Sequence, residues 1–410
     1  MEIGSRRGLA GVVATWLSQM VRGMKTSETF DIVVIGGGMA GSSIAAHLSR
    51  SARVCLLEME DQPGFHSTGR SAAILSENLG NTTIRALTRA SRVFFDAPPP
   101  GFTEAPLLHP RRVLHTARRQ EDLDACLDVI PLAEREVKTL DQAIAICPII
   151  RPEDLVGAVL ALRPADIDVH ALQQGYLRDF RSRGGVLNLD ARVSDLVRNG
   201  EVWTITTSNQ TYRAPIVVNA AGAWAGQIAA MAGAADIGLQ PLKRTACLID
   251  PPEGLEIKGW PMLKDAGEQY YLKPDAGKLL LSPCDEAPSA PGDAQADELT
   301  VAIAVDRIEQ ATTLQVRRVT HRWAGLRSFV SDRSPVVGFD PIQPGFFWHA
   351  ALGGYGIQTA PALSQLAASL LTQTPIAPDL EGFDINLEAL SPRRAAARPP
   401  HPRPEVIVND

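Results

Sequence analysis

The sequence predicts an α/β fold with a Rossmann-like lobe, and three observations near its start lead to that prediction. The β-branched run Phe30–Ile35 has no polar face, as expected of a parallel strand that is buried on both sides. It runs directly into Gly36–Gly41, whose glycines have the G-x-G-x-x-G spacing, and a helix of small residues is expected over 42–51. A second strand over 53–57 ends at Glu58. Strand, glycine turn, helix, strand and terminal acid in this order are typical of a dinucleotide-binding fold.

Each part of this unit has a physical purpose. Glycine permits the tight turn, lets the backbone approach a pyrophosphate closely, and leads into a helix N-terminus whose free N–H groups and dipole favour an anion. The terminal carboxylate can accept hydrogen bonds from ribose hydroxyls. The predicted dinucleotide contacts in this unit are Gly36, Gly38, Met39, Ala40, Gly41 and Glu58.

Composition excludes several classes of function. The 410 residues are 45% hydrophobic, enough for a large two-part molecule, and 40 Lys and Arg against 46 Asp and Glu give a net charge of −6. Without a long basic block, nucleic-acid binding has no electrostatic support. No apolar run has the length of a membrane span. The five cysteines are scattered without a C-x-x-C spacing, so we expect no zinc site or redox pair and a reducing compartment.

Neither end of the chain is expected to carry chemistry. Residues 1–29 contain Arg6 and Arg7 before a mildly apolar stretch, which weakly resembles a twin-arginine export signal. Basic residues follow that stretch and no cleavage site is visible, so an over-extended start before Met24, or a disordered extension, is the preferred interpretation. Residues 391–410 are rich in Pro, Arg and Ala and are predicted to be a disordered tail.

Two further glycine turns extend the predicted nucleotide site. A loop of glycine and small hydroxyl residues over 64–73, followed by a helical pattern, offers a second set of backbone N–H groups. The strand 345–351 feeds a third glycine turn and an alanine-rich helix. Between them we expect a helix over 169–183, a hairpin over 191–207, and a buried strand within 213–224 that returns to the nucleotide at Gly222. Several strand-to-helix turns around one large cofactor fit FAD better than NAD.

Seven motifs in order resemble the D-amino-acid oxidase/glycine oxidase family of flavoproteins, and within it the bacterial FAD-dependent D-arginine dehydrogenase type. The resemblance spans about Phe30 to Arg394. It implies non-covalent FAD, a monomer, and two lobes, the second built on an antiparallel sheet. The lobes would be 30–100, 151–243 and 322–390 for FAD, and 101–150 and 244–321 for substrate. The motifs lie at 35–41, 66–73, 166–172, 218–224, 271–277, 323–329 and 353–358.

The resemblance also implies further FAD contacts. In the nearest relatives the histidine that corresponds to His66 is not a covalent tether, so we expect none here. The additional contacts are Ser67, Thr68, Arg70, Ser71, Ala72, the backbone at Val193, Gly222, Gly354, Tyr355, Gly356, Ile357 and Gln358.

The substrate of such an enzyme carries a carboxylate, which a buried arginine can meet with two parallel N–H bonds. By resemblance, Arg327 forms this clamp, while Arg244 and the hydroxyl of Tyr271 add donors. Hydride leaves the substrate Cα for the flavin, so the protein has chiefly to orient the Cα–H bond and keep the amine neutral. No metal site and no Ser-His-Asp constellation is visible or required.

The predicted side-chain pocket departs from the arginine-type enzymes. Positions that hold a histidine, a tyrosine and a glutamate there correspond to Ile74, Leu79 and Val113 here, and Gly354 and Gln358 complete the pocket. Burying a guanidinium among apolar groups without a carboxylate costs several kcal/mol. We therefore hypothesise an apolar or small substrate side chain in place of D-arginine, unless a shifted loop presents Glu104.

The leading functional prediction is an FAD-dependent amino-acid dehydrogenase or oxidase that produces an imino acid. A secondary amine (an N-methyl amino acid or an opine) and a 2-hydroxy acid stay open, because the same clamp suits them. An NAD-dependent dehydrogenase is disfavoured by the extra glycine turns, and a flavoprotein without turnover is disfavoured by the presence of Arg327 and Tyr271. The acceptor would be a quinone-like carrier or oxygen. We expect a cytoplasmic protein, with a peripheral position at the inner membrane face as the alternative.

Overall fold

The structure is a computed structural model that describes residues 27–395. The predictions for 1–26, including the possible export signal, and for 396–410 lie outside the described residues. In chain order the strands are β1 (Ser27–Thr29), β2 (Ile32–Ile35), β3 (Val54–Leu57), β4 (Ile74–Leu75), β5 (Leu108–Pro110), β6 (Val113–Ala117), β7 (Arg135–Lys138), β8 (Gly157–Ala161), β9 (Ala165–Ile167), β10 (Val186–Asn188), β11 (Val193–Asn199), β12 (Val202–Thr207), β13 (Thr211–Ala214), β14 (Ile216–Asn219), β15 (Gln240–Ile249), β16 (Met262–Asp265), β17 (Tyr271–Asp275), β18 (Lys278–Ser282), β19 (Val319–Phe329), β20 (Val336–Phe339) and β21 (Phe346–Ala350).

α-Helices lie in some of the connections between these strands and also follow the last strand. The α-helices are α1 (Met39–Leu48), α2 (Thr82–Asp96), α3 (Gln120–Val129), α4 (Leu140–Ile146), α5 (Val169–Ser182), α6 (Ala225–Ala232), α7 (Glu298–Ala311), α8 (Gly356–Thr372) and α9 (Pro392–Ala395). Short 3₁₀ turns lie at Leu132–Glu134, Gly222–Trp224, Pro378–Leu380 and Glu388–Leu390.

A six-stranded sheet in the order β10-β3-β2-β14-β21-β20 forms the first lobe. All neighbouring pairs are parallel except β20 with β21, and Ile35, Leu57, Asn219 and Trp348 lie side by side. The carboxyl ends of the central strands therefore meet at one edge. Every residue of β2 is buried, as the sequence predicts, because helices α1, α2, α5 and α8 cover one face and α6 with a small sheet, β1-β13-β12-β11, covers the other. The mixed α/β class with a Rossmann-like lobe is confirmed.

An eight-stranded sheet in the order β19-β15-β18-β17-β16-β6-β8-β7 forms the second lobe. Its pairs are antiparallel apart from β16 with β6. Helices α4 and α7 pack on one face. The opposite face carries Val113, Ala246 and Tyr271 in a separate apolar cluster and is turned toward the first lobe.

The sheet membership differs from the lobe boundaries that the sequence suggests. Strand β8 and most of β19 fall within ranges assigned to the FAD lobe, yet both pair inside the eight-stranded sheet. Pairing between strands that are far apart in the sequence determines which sheet a strand joins, and no local sequence pattern predicts such pairing.

Three local predictions are wrong. Residues 27–29, assigned to a disordered extension, form β1 in parallel pairing with β13. Residues 391–395, assigned to the disordered tail, end in α9, where Arg394 pairs with Asp332 at 2.8 Å. The loop over 64–73 is followed by the two-residue strand β4 and not by a helix.

The buried run within 213–224 is divided into two strands. Pro215 separates β13 from β14, which lie in different sheets, because proline has no N–H to continue a ladder. The hairpin of β11 with β12, helix α5 with its N-cap Asp168, and strand β21 agree with the sequence. Among residues 27–395, no helix combines the length and the apolar character needed to cross a membrane.

Candidate active site

A deep cleft separates the two lobes and encloses about 1700 Å³, its open mouth included. One wall consists of the glycine turns that follow β2 and β21 and of the turn after β14. The other wall consists of β15, β17 and β19 of the eight-stranded sheet. A cleft at the carboxyl ends of parallel strands is where this kind of sheet binds nucleotides.

The first glycine turn needs its glycines for steric reasons. Gly36 has a φ of +106°, and a Cβ there would lie 2.5 Å from the carbonyl oxygen of Ala220. A Cβ at Gly41 would lie 1.8 Å from the carbonyl oxygen of Gly36, so α1 can approach the strand only with glycine at this position. Helix α1 begins after Gly38 with no side-chain cap, and the N–H of Met39 donates to the hydroxyl of Thr68 at 3.0 Å. Its N-terminus fits a pyrophosphate.

Glu58 lies against this turn. One carboxylate oxygen accepts from the N–H of Gly37 at 2.8 Å and the other accepts from the N–H of Glu60 at 3.0 Å. Burial raises the pKa of Glu58, and the two backbone bonds oppose that rise. The carboxylate is thus held in one orientation in the cleft wall, where it can still accept from a ribose.

The second loop is held largely by protein contacts. The Ser67 hydroxyl donates to the carbonyl of Leu326 at 2.6 Å, and the Ser71 hydroxyl accepts from the N–H of Ala73. The side chain of Gln173 on α5 supports the loop from behind. It donates to the carbonyl of Gly37 at 2.9 Å, and a Cβ at Gly64 would lie 2.4 Å from its oxygen. Sequence reasoning missed Gln173, because nothing in the local pattern of α5 marks it.

His66 lies in the cleft wall with its ring 4.7 Å from that of Trp224. Its Nε2 is 2.8 Å from the carboxylate of Glu60. The bond to Glu60 orients the imidazole within the protein.

The third glycine turn brings only some of the predicted contacts to the cleft. Gly354, Gly356 and Ile357 line it, whereas Tyr355 and Gln358 do not. The buried amide of Gln358 accepts from the N–H of Ser76 at 3.2 Å and donates to the hydroxyl of Thr88 at 2.9 Å, so its role is to join α8 to α2. Gly41 does not line the cleft either, because it packs against the backbone of Gly36. The other FAD contacts predicted from the sequence, including Ala40, Ala72, Val193 and Gly222, lie in the cleft lining.

Arg244, Tyr271 and Arg327 come together on the opposite wall. Strands β15 and β19 pair so that Arg244 lies opposite Gly325 and Arg327 lies opposite Leu242. Arg244 is held by the protein: its Nε donates to the carbonyl of Asp285 at 2.8 Å and its Nη2 lies 3.2 Å from Glu286.

Arg327 is different, because its guanidinium makes no hydrogen bond or ion pair with any described residue. A Cβ at Gly354 would lie 3.0 Å from its Nη1 and 3.1 Å from its Cζ, so the group lies flat against that backbone. Burial, followed by the charge of Arg244, lowers the pKa of Arg327, and arginine nevertheless stays protonated in proteins. The Tyr271 hydroxyl likewise has no hydrogen-bond partner among the described residues. A partly buried cation without a partner, beside two more donors, is a site for a carboxylate.

Of the residues predicted to form the side-chain pocket, Gly354 lines the cleft, whereas Ile74, Leu79, Val113 and Gln358 do not. Ile74 and Val113 pack in the apolar cluster that contains Tyr271 and Ala246. Leu79 lies outside both this cluster and the cleft lining. Glu104 is exposed and does not line the cleft, and Glu58 is the only carboxylate of residues 27–395 that does.

His349 on β21 is a second residue that sequence reasoning missed. It is 1% exposed and belongs to the cleft lining, yet neither ring nitrogen has a hydrogen-bond partner. Burial lowers the pKa of His349 to about 3, so the ring is neutral at physiological pH. Its position inside an otherwise apolar strand is the one sequence signal that could have marked it.

Comparisons with known proteins agree with this geometry. The sequence model of the family described as FAD dependent oxidoreductase (DAO) matches residues 31–370. FAD-dependent oxidoreductase domain-containing protein 1 of Bos taurus is 25% identical over 84% of this chain and 82% of its own length. Glycine oxidase of Geobacillus kaustophilus is 24% identical over 88% and 97%.

Solved structures share the fold. The glycine oxidase from Geobacillus kaustophilus superposes with a TM-score of 0.73 at 22% identity, covering 88% of this chain and 99% of its own. The L-proline dehydrogenase from P. horikoshii superposes with a TM-score of 0.76 at 20% identity, covering 90% and 98%.

Proposed function

We propose a specific reaction from the premise that this chain belongs to the DAO family of FAD-dependent oxidoreductases. FAD is therefore its cofactor, and FAD-dependent oxidation of an amine or amino acid is its class of reaction. Within that class, we infer that it oxidises the Cα–N bond of a D-amino acid with an apolar or small side chain, giving an imino acid that water converts to a 2-oxo acid and ammonia. The observation that carries this proposal is the guanidinium of Arg327, which has no hydrogen-bond or ion-pair partner among residues 27–395, beside Arg244 and Tyr271.

The first glycine turn, Glu58 and the loop that contains Thr68 would hold the cofactor, which when bound supplies the hydride acceptor. Arg327 binds the substrate carboxylate with two parallel N–H bonds, and Gly354 leaves room for the guanidinium to stay flat. Arg244 and Tyr271 donate to the same carboxylate and so fix the direction of the Cα–H bond.

Charge balance supports a substrate with one carboxylate. Glu286 is shared by Arg244 and Arg333, whose guanidinium nitrogens lie 3.2 and 2.8 Å from it, and the carboxylate of Asp285 is engaged by Thr245. The charge of Arg327 is thus left for the carboxylate of the substrate. Since neither Glu286 nor Asp285 lines the cleft, the amine can lie there in its neutral form while hydride leaves the Cα.

Ile74 and Val113 favour an apolar side chain beside this anchor. A guanidinium placed there would meet no carboxylate, and its desolvation would be uncompensated. D-arginine is thus expected to be a poor substrate. The nearer resemblance to D-arginine dehydrogenases, the D preference, the monomer, the cytoplasmic location and the quinone-like or oxygen acceptor stay predictions.

A second candidate is a secondary amine, such as an N-methyl amino acid or an opine. It is favoured because, among residues 27–395, no carboxylate other than Glu58 lines the cleft and could accept the extra N–H group of a primary amine. A 2-hydroxy acid shares the same carboxylate anchor.

The test is anaerobic loss of the flavin absorption band in the purified holoenzyme. The compounds are D-methionine, D-leucine, D-phenylalanine, D-alanine, D-arginine, sarcosine, an opine and a 2-hydroxy acid. Rapid reduction by the apolar D-amino acids and none by D-arginine is expected. Reduction by D-arginine would overturn the pocket assignment, whereas reduction only by the secondary amines or the hydroxy acid would keep the carboxylate anchor and replace the amino-acid proposal.

A further inference from the structure

Residues 283–297, which join β18 to α7, have no helix or strand of their own. They pass behind the cleft wall that carries Arg244, Tyr271 and Arg327, which we call the substrate wall. We call residues 283–297 the brace. At their start, the carboxylate of Asp285 accepts from the N–H and the hydroxyl of Thr245 at 2.7 and 3.0 Å, and its carbonyl accepts from Arg244. No residue of the brace lines the cleft, so the brace holds Arg244 from the side away from the ligand.

The middle of the brace runs beside β15 like an irregular extra strand. The N–H of Lys243 donates to the carbonyl of Ala287 at 2.8 Å, and the N–H of Ser289 donates to the carbonyl of Pro241 at 3.0 Å. These bonds connect the backbone just before Arg244 to the brace, and the bond from the N–H of Thr245 to Asp285 does the same just after it. A shift of the brace would therefore shift the arginine.

The far end of the brace is bound by Arg70, a residue that the resemblance assigns to FAD. Its Nη2 pairs with Asp293 at 2.5 Å, and its Nη1 donates to the carbonyls of Ala294 and Ala324 at 3.0 and 3.1 Å. Its own carbonyl accepts from the indole of Trp323 at 2.9 Å. Three of the five N–H groups of this guanidinium are thus used within the protein.

We propose that Arg70 and Asp293 are positioning residues that attach the far end of the brace to the loop over 64–73. Through the brace, they couple this cofactor loop to the substrate anchor Arg244. One end of the brace fixes Arg244, and the other fixes the loop that carries Ser67 and Thr68. The side chain of Arg70 joins that loop to the brace and to β19 at once. Loss of the Arg70–Asp293 ion pair therefore weakens the binding of both FAD and the substrate carboxylate.

Asp293→Ala is the most selective variant, because Asp293 is about half exposed and we expect the fold to tolerate its loss. The matched control is Asp250→Ala. Asp250 is also exposed and forms an ion pair, here with Lys278, at the end of β15 away from the cleft. Arg70→Ala removes all the contacts between this side chain and the brace. The double variant combines Arg70→Ala with Asp293→Ala.

Two properties of each holoenzyme are measured. The release of FAD is followed by the rise of flavin fluorescence after dilution, and carboxylate binding is followed by the shift of the flavin absorption band with benzoate. We expect Asp293→Ala to speed FAD release and weaken benzoate binding about threefold each, as for loss of a partly exposed ion pair. Arg70→Ala should change both at least about tenfold, because buried carbonyl groups also lose their donor.

The double variant decides whether Asp293 acts through Arg70. Equality of the double variant with Arg70→Ala supports the brace. Additive effects, or an Asp293→Ala variant that behaves like Asp250→Ala, would overturn it. The benzoate arm rests on the proposed carboxylate anchor, whereas the FAD arm does not: failure of the wild-type enzyme to bind benzoate would count against the proposed function alone, since FAD release still tests the brace.

Discussion

The two walls of the cleft are built on different physical principles. The cofactor wall is made of backbone: glycines at 36 and 41 fit only because they have no Cβ, and they lie within a few residues of each other. The substrate wall is made of charged side chains, and Arg244 and Arg327 come from strands far apart in sequence. Substitutions in the first wall should act through steric exclusion, and substitutions in the second through electrostatics.

The largest effect is expected for Gly41→Ala. Its Cβ would overlap the carbonyl oxygen of Gly36, which is backbone and cannot rotate away, so α1 must leave the strand. The purified variant should contain no FAD by absorbance and should unfold several degrees lower than the wild-type protein.

Gly226→Ala on α6 is its control, because a Cβ there meets no atom within 4 Å. It should keep its FAD and gain a little stability, since alanine favours a helix. If both glycine variants lose FAD, steric exclusion at the first turn is not the reason.

The next effect concerns Arg327→Lys, which keeps the charge and removes the bidentate geometry. We expect kcat/KM to fall about a hundredfold, corresponding to about 3 kcal/mol, with FAD content unchanged. Steady-state kinetics beside the flavin absorbance separate the two quantities.

Arg322→Lys, an exposed arginine of the same strand β19, provides the comparison and should retain full activity. Loss of FAD from Arg327→Lys would show that the two walls are not separable in this way.

A third effect tests an exception to the comparison, since His349, like Glu58 and His66, is a titratable side chain in a wall built mainly of backbone. Its pKa is about 3 in the folded protein and about 6.5 when unfolded, so the unfolded chain takes up a proton first as the pH falls. Stability should therefore decline below pH 6.5, by up to about 1.4 kcal/mol per pH unit from this residue.

Urea unfolding of the wild-type protein and His349→Leu at pH 7 and pH 5.5 measures this contribution. The variant should lose less stability over that interval, and it should start higher because two unpaired buried nitrogens are gone. The exposed His170→Leu variant should follow the wild-type protein. An identical pH dependence for His349→Leu and wild type would contradict the assignment.

The smallest effect is expected for Ile74→Ala on β4, whose side chain packs against the apolar cluster that contains Tyr271. Removing part of the apolar surface beside Tyr271 should reduce kcat/KM for D-leucine about fivefold and leave D-alanine almost unchanged. A uniform fall for both substrates would mean that Ile74 supports the fold and does not select the side chain.

Local chemistry explains which features could be predicted from the sequence. The unit from Phe30 to Glu58, the cap of α5 by Asp168 and the hairpin of β11 with β12 are set by neighbouring residues, and all three are present. Arg70 binds the brace, and Gln173 supports Gly37. Both interactions join residues more than 130 positions apart. No spacing or periodicity encodes such pairs.

The order of strands in the first lobe has a consequence for synthesis of the chain. Strand β14 lies between β2 and β21, and β21 begins only at Phe346. A nascent chain therefore presents the apolar edge of β14 unpaired until most of the polypeptide has left the ribosome. Such an edge is open to association with other chains. Completion of the cofactor wall is thus one of the last events of translation, and a prematurely terminated product lacks the third glycine turn altogether.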